Sequence, residues 1–491
     1  MTTRRRSPLL WLALLLAVTL WAAACTGPDG PSRDPGRAGD PVAEEEGEGL
    51  EEELEEQAEK TENRLEALEA AREAGTLGVI EEIRRQPAEG WAGERVMHRT
   101  GDDWEPAIAA DPNAPWVYVL HNRYGGRDAC PNDCPDPAMI LHVSSDGGQR
   151  WQPERYLCAC RGWNAQYDPL IEVVPETGDV VAVWMNQFKI HFSRSSDHGE
   201  TWSKAVFVHP DVRWGDKPNF TIGPDGQDVY VQFNGPTGGD VYSAASHDGG
   251  ATWTTTQITD SRRYYFAYGA AILPDDSVVF SQVSLSYTGT GGAAEGTQNV
   301  HVFRSTDGAA TWSELVIDEL ELGRECRSVG CYPDYYDSGP ALAQDANGDL
   351  VIVYNGASRH LGPQAVFARS STDGGETWSD AVQLSKPGVN SAFPAAVGEA
   401  NNDVRVWFMS ERRGKWKVWY RSSSDLGQTW STRARLSDAV SGTAYQHPKG
   451  FDEVYGDYGE IAITSDGLTV ATWGEGNSYF GPGGIWFNRE L

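Results

Sequence analysis

The chain has 491 residues, with 71 acidic against 40 basic side chains and a formal charge of −31. The first 90 residues hold 20 acids and 10 bases, so the remainder carries −21 of that total. Neither part is basic, which argues against nucleic acid as a partner.

In chain order, Arg4, Arg5 and Arg6 precede an apolar stretch from Leu9 to Ala24 and then Cys25. This is the pattern of a secretory signal, too short and wrongly flanked for a stable membrane span. Ala22, Ala23 and Ala24 before Cys25 resemble a bacterial lipobox, with Ala22 where Leu is commoner. The resemblance implies a signal peptide over 1–24, cleavage before Cys25, a lipid on its thiol, and an exported protein anchored on the outer side of the cell membrane. Residues 25–92 read as an acidic tether. The part up to residue 40 is rich in Pro, Gly, Asp and Arg, and residues 43–86 are Glu-rich with few breakers. Leu50, Leu54, Leu65 and Leu68 fall near helical spacing there, which predicts a solvated helical spacer that could pair weakly with a partner.

From residue 93 onward the chain repeats. Ser-x-Asp-x-Gly-x-x-Trp occurs at Ser144–Trp151, Ser195–Trp202, Ser246–Trp253, Ser305–Trp312, Ser371–Trp378 and Ser423–Trp430, with Ala309 replacing glycine in the fourth copy. The aspartates Asp146, Asp197, Asp248, Asp307, Asp373 and Asp425 are 51, 51, 59, 66 and 52 residues apart. That period points to a propeller or solenoid. The phrase suits a tight turn: short Ser and Asp side chains bond turn amides, and Trp leaves the turn to pack on a sheet. These aspartates are therefore read as structural.

Alternating strand-like runs precede each phrase, as at Met139–Asp146 and Lys417–Asp425, and another strand follows each Trp. Each unit is thus four antiparallel strands. A seventh unit lacks the phrase and supplies three strands between Glu460 and Leu491. Its fourth strand is expected from Gly93–Thr100, which would close the ring and remove both edges. The expectation over 93–491 is an all-β, seven-bladed β-propeller, with six blades as the alternative.

Cys130, Cys134, Cys158, Cys160, Cys326 and Cys331 form an even set in an exported chain, which implies disulfides. The preferred pairing joins Cys158 and Cys160 to Cys130 and Cys134, and Cys326 to Cys331, among 15 possible connectivities. Metal binding is not expected, since no His cluster accompanies the cysteines. All six fall in loops expected on the face opposite the aspartate turns, with the longest insertions. Pinned long loops on one face are where binding usually lives. DANGD at Asp345–Asp349 lacks the length and the Glu of a calcium loop, and reads as a turn.

The repeated phrase is the Asp-box, or bacterial neuraminidase repeat, and the chain resembles the sialidase superfamily over roughly residues 93–491. That resemblance implies arginines gripping a sugar carboxylate, a Tyr nucleophile and an Asp acid. It places the Tyr at Tyr458, in a segment (Asp457–Gly467) similar to the family's ending, and the acid in the insertion of the first unit that holds Asp128, Asp133 and Asp136, with Asp128 preferred and Arg123 and Arg127 nearby. Two positions depart from the family. Trp104 and Glu105 stand where the first arginine is expected, and Ser391–Val397 offers no Glu to activate Tyr458.

Spacing alone shows a further set at the entry of several first strands: Glu105, Asp168, Asp216, Tyr268, Tyr336, Asp337 and Glu460, with Trp163 and Trp214 near. Carboxylates with aromatic rings suit hydroxyl-rich sugars, by hydrogen bonding and stacking. The functional expectation is a surface protein that binds or hydrolyses glycans, acting as a sialidase-like glycoside hydrolase if it is an enzyme. It is expected to be monomeric and to need no cofactor or metal. The competing expectation is a non-catalytic scaffold that binds a surface protein.

Overall fold

The computed structural model describes residues 41–75, 86–125, 135–157, 165–236, 239–261, 263–287, 294–323, 339–412, 415–437, 459–476 and 483–491. Beyond one helix, α1 (Pro41–Glu73), the described residues are all-β. They form five four-stranded antiparallel sheets and one eight-stranded sheet. The eight-stranded sheet is two four-stranded units in sequence, joined through the single pair Glu321↔Ala357. Seven consecutive units result.

The inner strands of units one to seven are Asp102–Ala110, Gln166–Val173, Asp216–Ile222, Tyr264–Ile272, Ala341–Gln344, Ser391–Gly398 and Gly459–Ile463. Each packs beside the next, and the seventh packs beside the first. The closing strand is where the sequence places it. Arg95–Val96 pairs antiparallel with Gly483–Arg489, register Arg95↔Phe487 and Val96↔Trp486, and completes unit seven.

The core is divided in the same way. One apolar cluster joins units one and two through Leu141, Val143, Ile171 and Trp184. Another joins units two and three through Phe192, Val231 and Phe233. The series continues to Trp407 and Trp473 between units six and seven, and to Val119 and Phe487 between units one and seven. Fully burying one Val, Leu, Ile or Phe is worth about 1.5–3 kcal/mol. The stabilisation therefore lies between units, and no unit buries its faces alone.

The six phrase turns share one hydrogen-bond set. In the second, Ser195 Oγ donates to Asp197 Oδ1 at 2.8 Å and accepts the Gly199 amide at 2.8 Å, while Thr201 N donates to Asp197 Oδ1 at 2.8 Å. The tryptophans are half-buried and pack between units: Trp253 lies 5.5 Å from Phe192, and Trp151 lies 5.1 Å from Phe487. Asp345 accepts the amides of Asn347 and Asp349 and, from unit six, that of Asn402, so this segment is a turn.

The helix departs from its expected role as a free spacer. Leu68 is 2% exposed, and Arg64 bonds Asp102 of unit one. α1 is docked on the β-structure.

Candidate functional site at the mouth of the central cavity

Five of the seven inner strands carry an irregular step. In units one, two, three, four and six the pairing with the second strand slips at the strand's start. In four of these the slip is carried by a non-glycine residue with left-handed backbone directly before proline. They are Glu105 (φ 53), Asp168 (φ 49), Lys217 (φ 47) and Phe393 (φ 56). In unit four, Tyr268 occupies the step before Gly269, and in unit five Gly339 (φ 42) precedes Pro340. A residue before proline resists such backbone, and left-handed conformations cost about 1–2 kcal/mol per residue. Strain repeated at one place in a fold marks a site where side-chain direction matters.

Of these residues, Tyr268, Gly339 and Phe393 line a cavity of about 470 Å³ walled by all seven inner strands, and Glu105, Asp168 and Lys217 precede the lining residues on their own strands. Tyr268, Phe393 and Gly459 line it near the strand starts, and Pro112 and Glu399 near the strand ends. Around the mouth the charged residues form a chain across three units. Glu105 Oε2 accepts Asn122 Nδ2 at 2.8 Å and the Asp168 amide at 3.0 Å. Asp168 Oδ1 lies 3.9 Å from Lys217 Nζ. Asp216, half-buried, begins the same strand as Lys217.

Deeper in the cavity are two carboxyl groups. Glu460 Oε2 accepts the Ile108 amide of unit one at 2.7 Å. Glu172, on unit two, accepts the Ile222 amide of unit three. Each thus satisfies a backbone donor on the exposed edge of the next inner strand. Burial pushes both up to about 8, and the proximity of Glu460 adds to the rise at Glu172.

Beside the mouth is a buried ionic network. Arg123 Nε donates to Asp103 Oδ1 at 2.5 Å, and Nη1 donates to Glu154 Oε1 at 2.6 Å. Burial alone would weaken the Arg123 charge, but Asp103 and Glu154 outweigh it and hold the guanidinium protonated. Burial likewise opposes ionisation of Glu154, yet Arg123 draws it down to about 2. Behind them His121 Nε2 lies 3.0 Å from His142 Nε2, and His121 Nδ1 lies 2.9 Å from the Asn122 carbonyl oxygen. Burial, reinforced by Arg123, pushes both imidazoles down to about 3. Among the described residues no group of three His, Cys, Asp or Glu is arranged to hold a metal ion.

Of the residues expected from sequence, Glu105 and Asp168 meet across units one and two, each 4% exposed, Asp216 begins the strand that carries Lys217, and Tyr268 lines the cavity. Glu460 lines the cavity wall instead. Arg123 is committed to Asp103 and Glu154. Trp214 is buried and packs edge-on against Phe188. Tyr458, Asp128, Trp163, Tyr336, Asp337, Cys25 and the six other cysteines lie outside the described residues. Sequence reasoning missed Lys217, Phe393 and Glu172. The repeated pair of any residue with proline at Glu105-Pro106, Asp168-Pro169, Lys217-Pro218 and Phe393-Pro394 was the available signal for the first two.

No family model matches the chain. Over 277 residues, 52% of this chain and 33% of the relative, it is 25% identical to a "Probable oligoxyloglucan-reducing end-specific xyloglucanase" of Neosartorya fischeri. Over 314 residues, 56% of this chain and 44% of the relative, it is 24% identical to a sialidase of Micromonospora viridifaciens. The chain thus spans less than half the length of either curated relative. Among solved structures it is similar to the intramolecular trans-sialidase from Ruminococcus gnavus, with TM-score 0.43 and 12% identity over 82% of this chain and 98% of that one.

Proposed function

We propose that this chain is an exported, lipid-anchored, sialidase-like β-propeller of seven blades that binds or hydrolyses glycans at the cell surface. The observation that carries this reading is the mouth of the central cavity. Glu105, Asp168 and Lys217, on three adjacent units, are held in strained backbone at the strand starts that lead into it, and Tyr268 and Phe393 line it. Fixed carboxylates and an ammonium suit hydroxyl groups, and aromatic rings suit sugar faces. The likeness to two relatives named for a xyloglucanase and a sialidase supports the same class of ligand. Seven inner strands around one cavity, with the last unit completed by Arg95–Val96, support seven blades over six.

A hydroxyl-rich, neutral glycan fits this mouth better than sialic acid. Arg123, an arginine that the family resemblance sets near the expected acid, already neutralises two carboxylates. Cleavage of the sialidase type would draw on Tyr458 and Asp128 as nucleophile and acid. The observation favouring the scaffold reading is α1, since the same face accepts a helical segment of protein.

The test is a screen of the full chain in detergent against a glycan panel and chromogenic glycosides, alongside Glu105→Ala and Tyr458→Phe. The reading expects binding that is lost in Glu105→Ala. Neither binding nor turnover on any glycan would sink it. Turnover indifferent to Tyr458→Phe would remove only the sialidase-type mechanism.

A further inference from the structure

α1 has a buried stripe. Leu54, Gln57, Thr61, Arg64, Leu68 and Ala71 are turned from solvent at alternating spacings of three and four, while Glu55, Glu59, Glu62, Glu66 and Glu69 are exposed. That is the face of a docked helix. Leu68 rests on Gly125, where an added Cβ would come within 2.4 Å of Leu68 Cδ2. Thr61 Oγ1 lies 3.3 Å from the Tyr167 hydroxyl.

Arg64 makes the polar contact of greatest specificity. Its Nε and Nη2 donate to Asp102 Oδ2 and Oδ1 at 2.8 and 2.9 Å, and its guanidinium lies 4.9 Å from the centre of the Trp104 ring. Asp102 is fully buried. Its Oδ1 also accepts Trp104 Nε1 at 2.8 Å and the Gly483 amide at 2.8 Å. These two bonds aim the carboxylate independently of Arg64. Two N–H groups on one carboxylate, beside an indole, form a seat for a planar guanidinium and not for an ammonium.

We propose that Asp102 and Trp104 form a guanidinium-binding site filled in cis by Arg64, and that α1 is a reversible latch beside the cavity mouth. Trp104 precedes Glu105 and Tyr167 precedes Asp168, so α1 rests on the two segments that carry the mouth carboxylates. α1 holds 14 Glu and three basic residues, and it meets a face bearing Asp102, Asp103, Glu105 and Asp168. Like charges oppose the docking, and Arg64 concentrates the attraction in one buried contact, which salt screens less than the exposed charges around it. Only the bearing of the latch on glycan access rests on the function proposed above.

The experiment is amide hydrogen exchange of residues 54–73 in the full chain. Arg64→Ala is expected to speed exchange there roughly tenfold or more, Arg64→Lys to fall between, and Arg72→Ala, on the exposed side, to change nothing. Unchanged exchange at Val180–Asn186 in every variant verifies that the β-structure is intact. Ethylguanidinium added to Arg64→Ala should restore protection, and ethylammonium should not. Unaltered α1 exchange in Arg64→Ala, or equal rescue by both cations, overturns the proposal. Protection of the wild type that falls on dilution would seat Arg64 in a second copy and overturn the cis assignment. Failure of every glycan to bind leaves these readouts untouched and removes only the glycan reading.

Discussion

Glu105 Oε2 accepts the backbone amide of Asp168 at 3.0 Å, across the boundary between the first and second units. The same oxygen accepts Asn122 Nδ2 at 2.8 Å. One carboxylate therefore fixes its own strained segment to the strained segment of the neighbouring unit. Glu105→Gln keeps an oxygen that can accept both bonds and removes the charge. Glu105→Ala leaves a buried amide without its acceptor, at about 1–3 kcal/mol. The expected outcome is a clear fall in thermal midpoint for Glu105→Ala and a small one for Glu105→Gln, read by calorimetry. Equal losses would show that charge, and not the bond to Asp168, is what matters there.

Stability should depend on pH from two sides. Burial pushes His121, His142 and His209 down to about 3 and His191 to about 4, from an ordinary 6.5. Below 6.5 the unfolded chain binds more protons at these positions, so stability is lost as pH falls. Burial pushes Glu172 and Glu460 up to about 8, from an ordinary 4.5. Between those values the folded chain holds the extra protons, so stability falls as pH rises. Four histidines outweigh two glutamates on the acid side, and only the glutamates act above it. The thermal midpoint should peak near pH ~6.5 and decline toward 8. Glu172→Gln combined with Glu460→Gln should flatten the alkaline limb and steepen the acid limb, where the histidines then act unopposed. An alkaline limb unchanged in the double variant would refute the assignment.

The third phrase turn brings its glycine against the preceding unit. A Cβ at Gly250 would lie 2.2 Å from Phe192 Cε1, and the backbone there has φ +88. Overpacking costs about 1–3 kcal/mol and the left-handed conformation about 1–2 more. Gly250→Ala should lower the denaturation midpoint markedly. Gly147→Ala, at a positive φ of 67 with open space around it, should cost only the conformational part.

Asp197 separates structure from function. Its carboxylate is bonded within its own turn by Ser195 and Thr201, on the face away from the mouth. Asp197→Ala should lower the thermal midpoint and leave glycan affinity of the folded protein unchanged. A selective loss of affinity at full stability would overturn the structural role.

The strands were legible because alternation and turn chemistry are local. Val180–Asn186 and Leu350–Ala357 read as strands from their residues alone, and the closing strand near Arg95 followed from a unit that was one strand short. Glu105 and Asp168 were legible as strand-entry residues. Glu460 was not placed correctly, because one residue's step relative to the bulge decides whether a side chain meets the rim or the cavity wall. Lys217 and Phe393 are chemically unlike Glu105 and Asp168, and only the shared backbone makes them equivalent. The docking of α1 was hidden for a similar reason. Its buried stripe mixes Leu54 and Leu68 with Gln57, Thr61 and Arg64, so hydrophobic period alone reads as a solvated helix.

The pairing of Arg95–Val96 with Gly483–Arg489 joins segments almost four hundred residues apart. During synthesis the unit that needs both cannot form until Gly483–Arg489 has left the ribosome. The nascent molecule is therefore an open arc with an unpaired edge and a bare apolar flank at each end. The pairing of Gly483–Arg489 with Arg95–Val96 is thus the step on which the lifetime of the finished molecule turns.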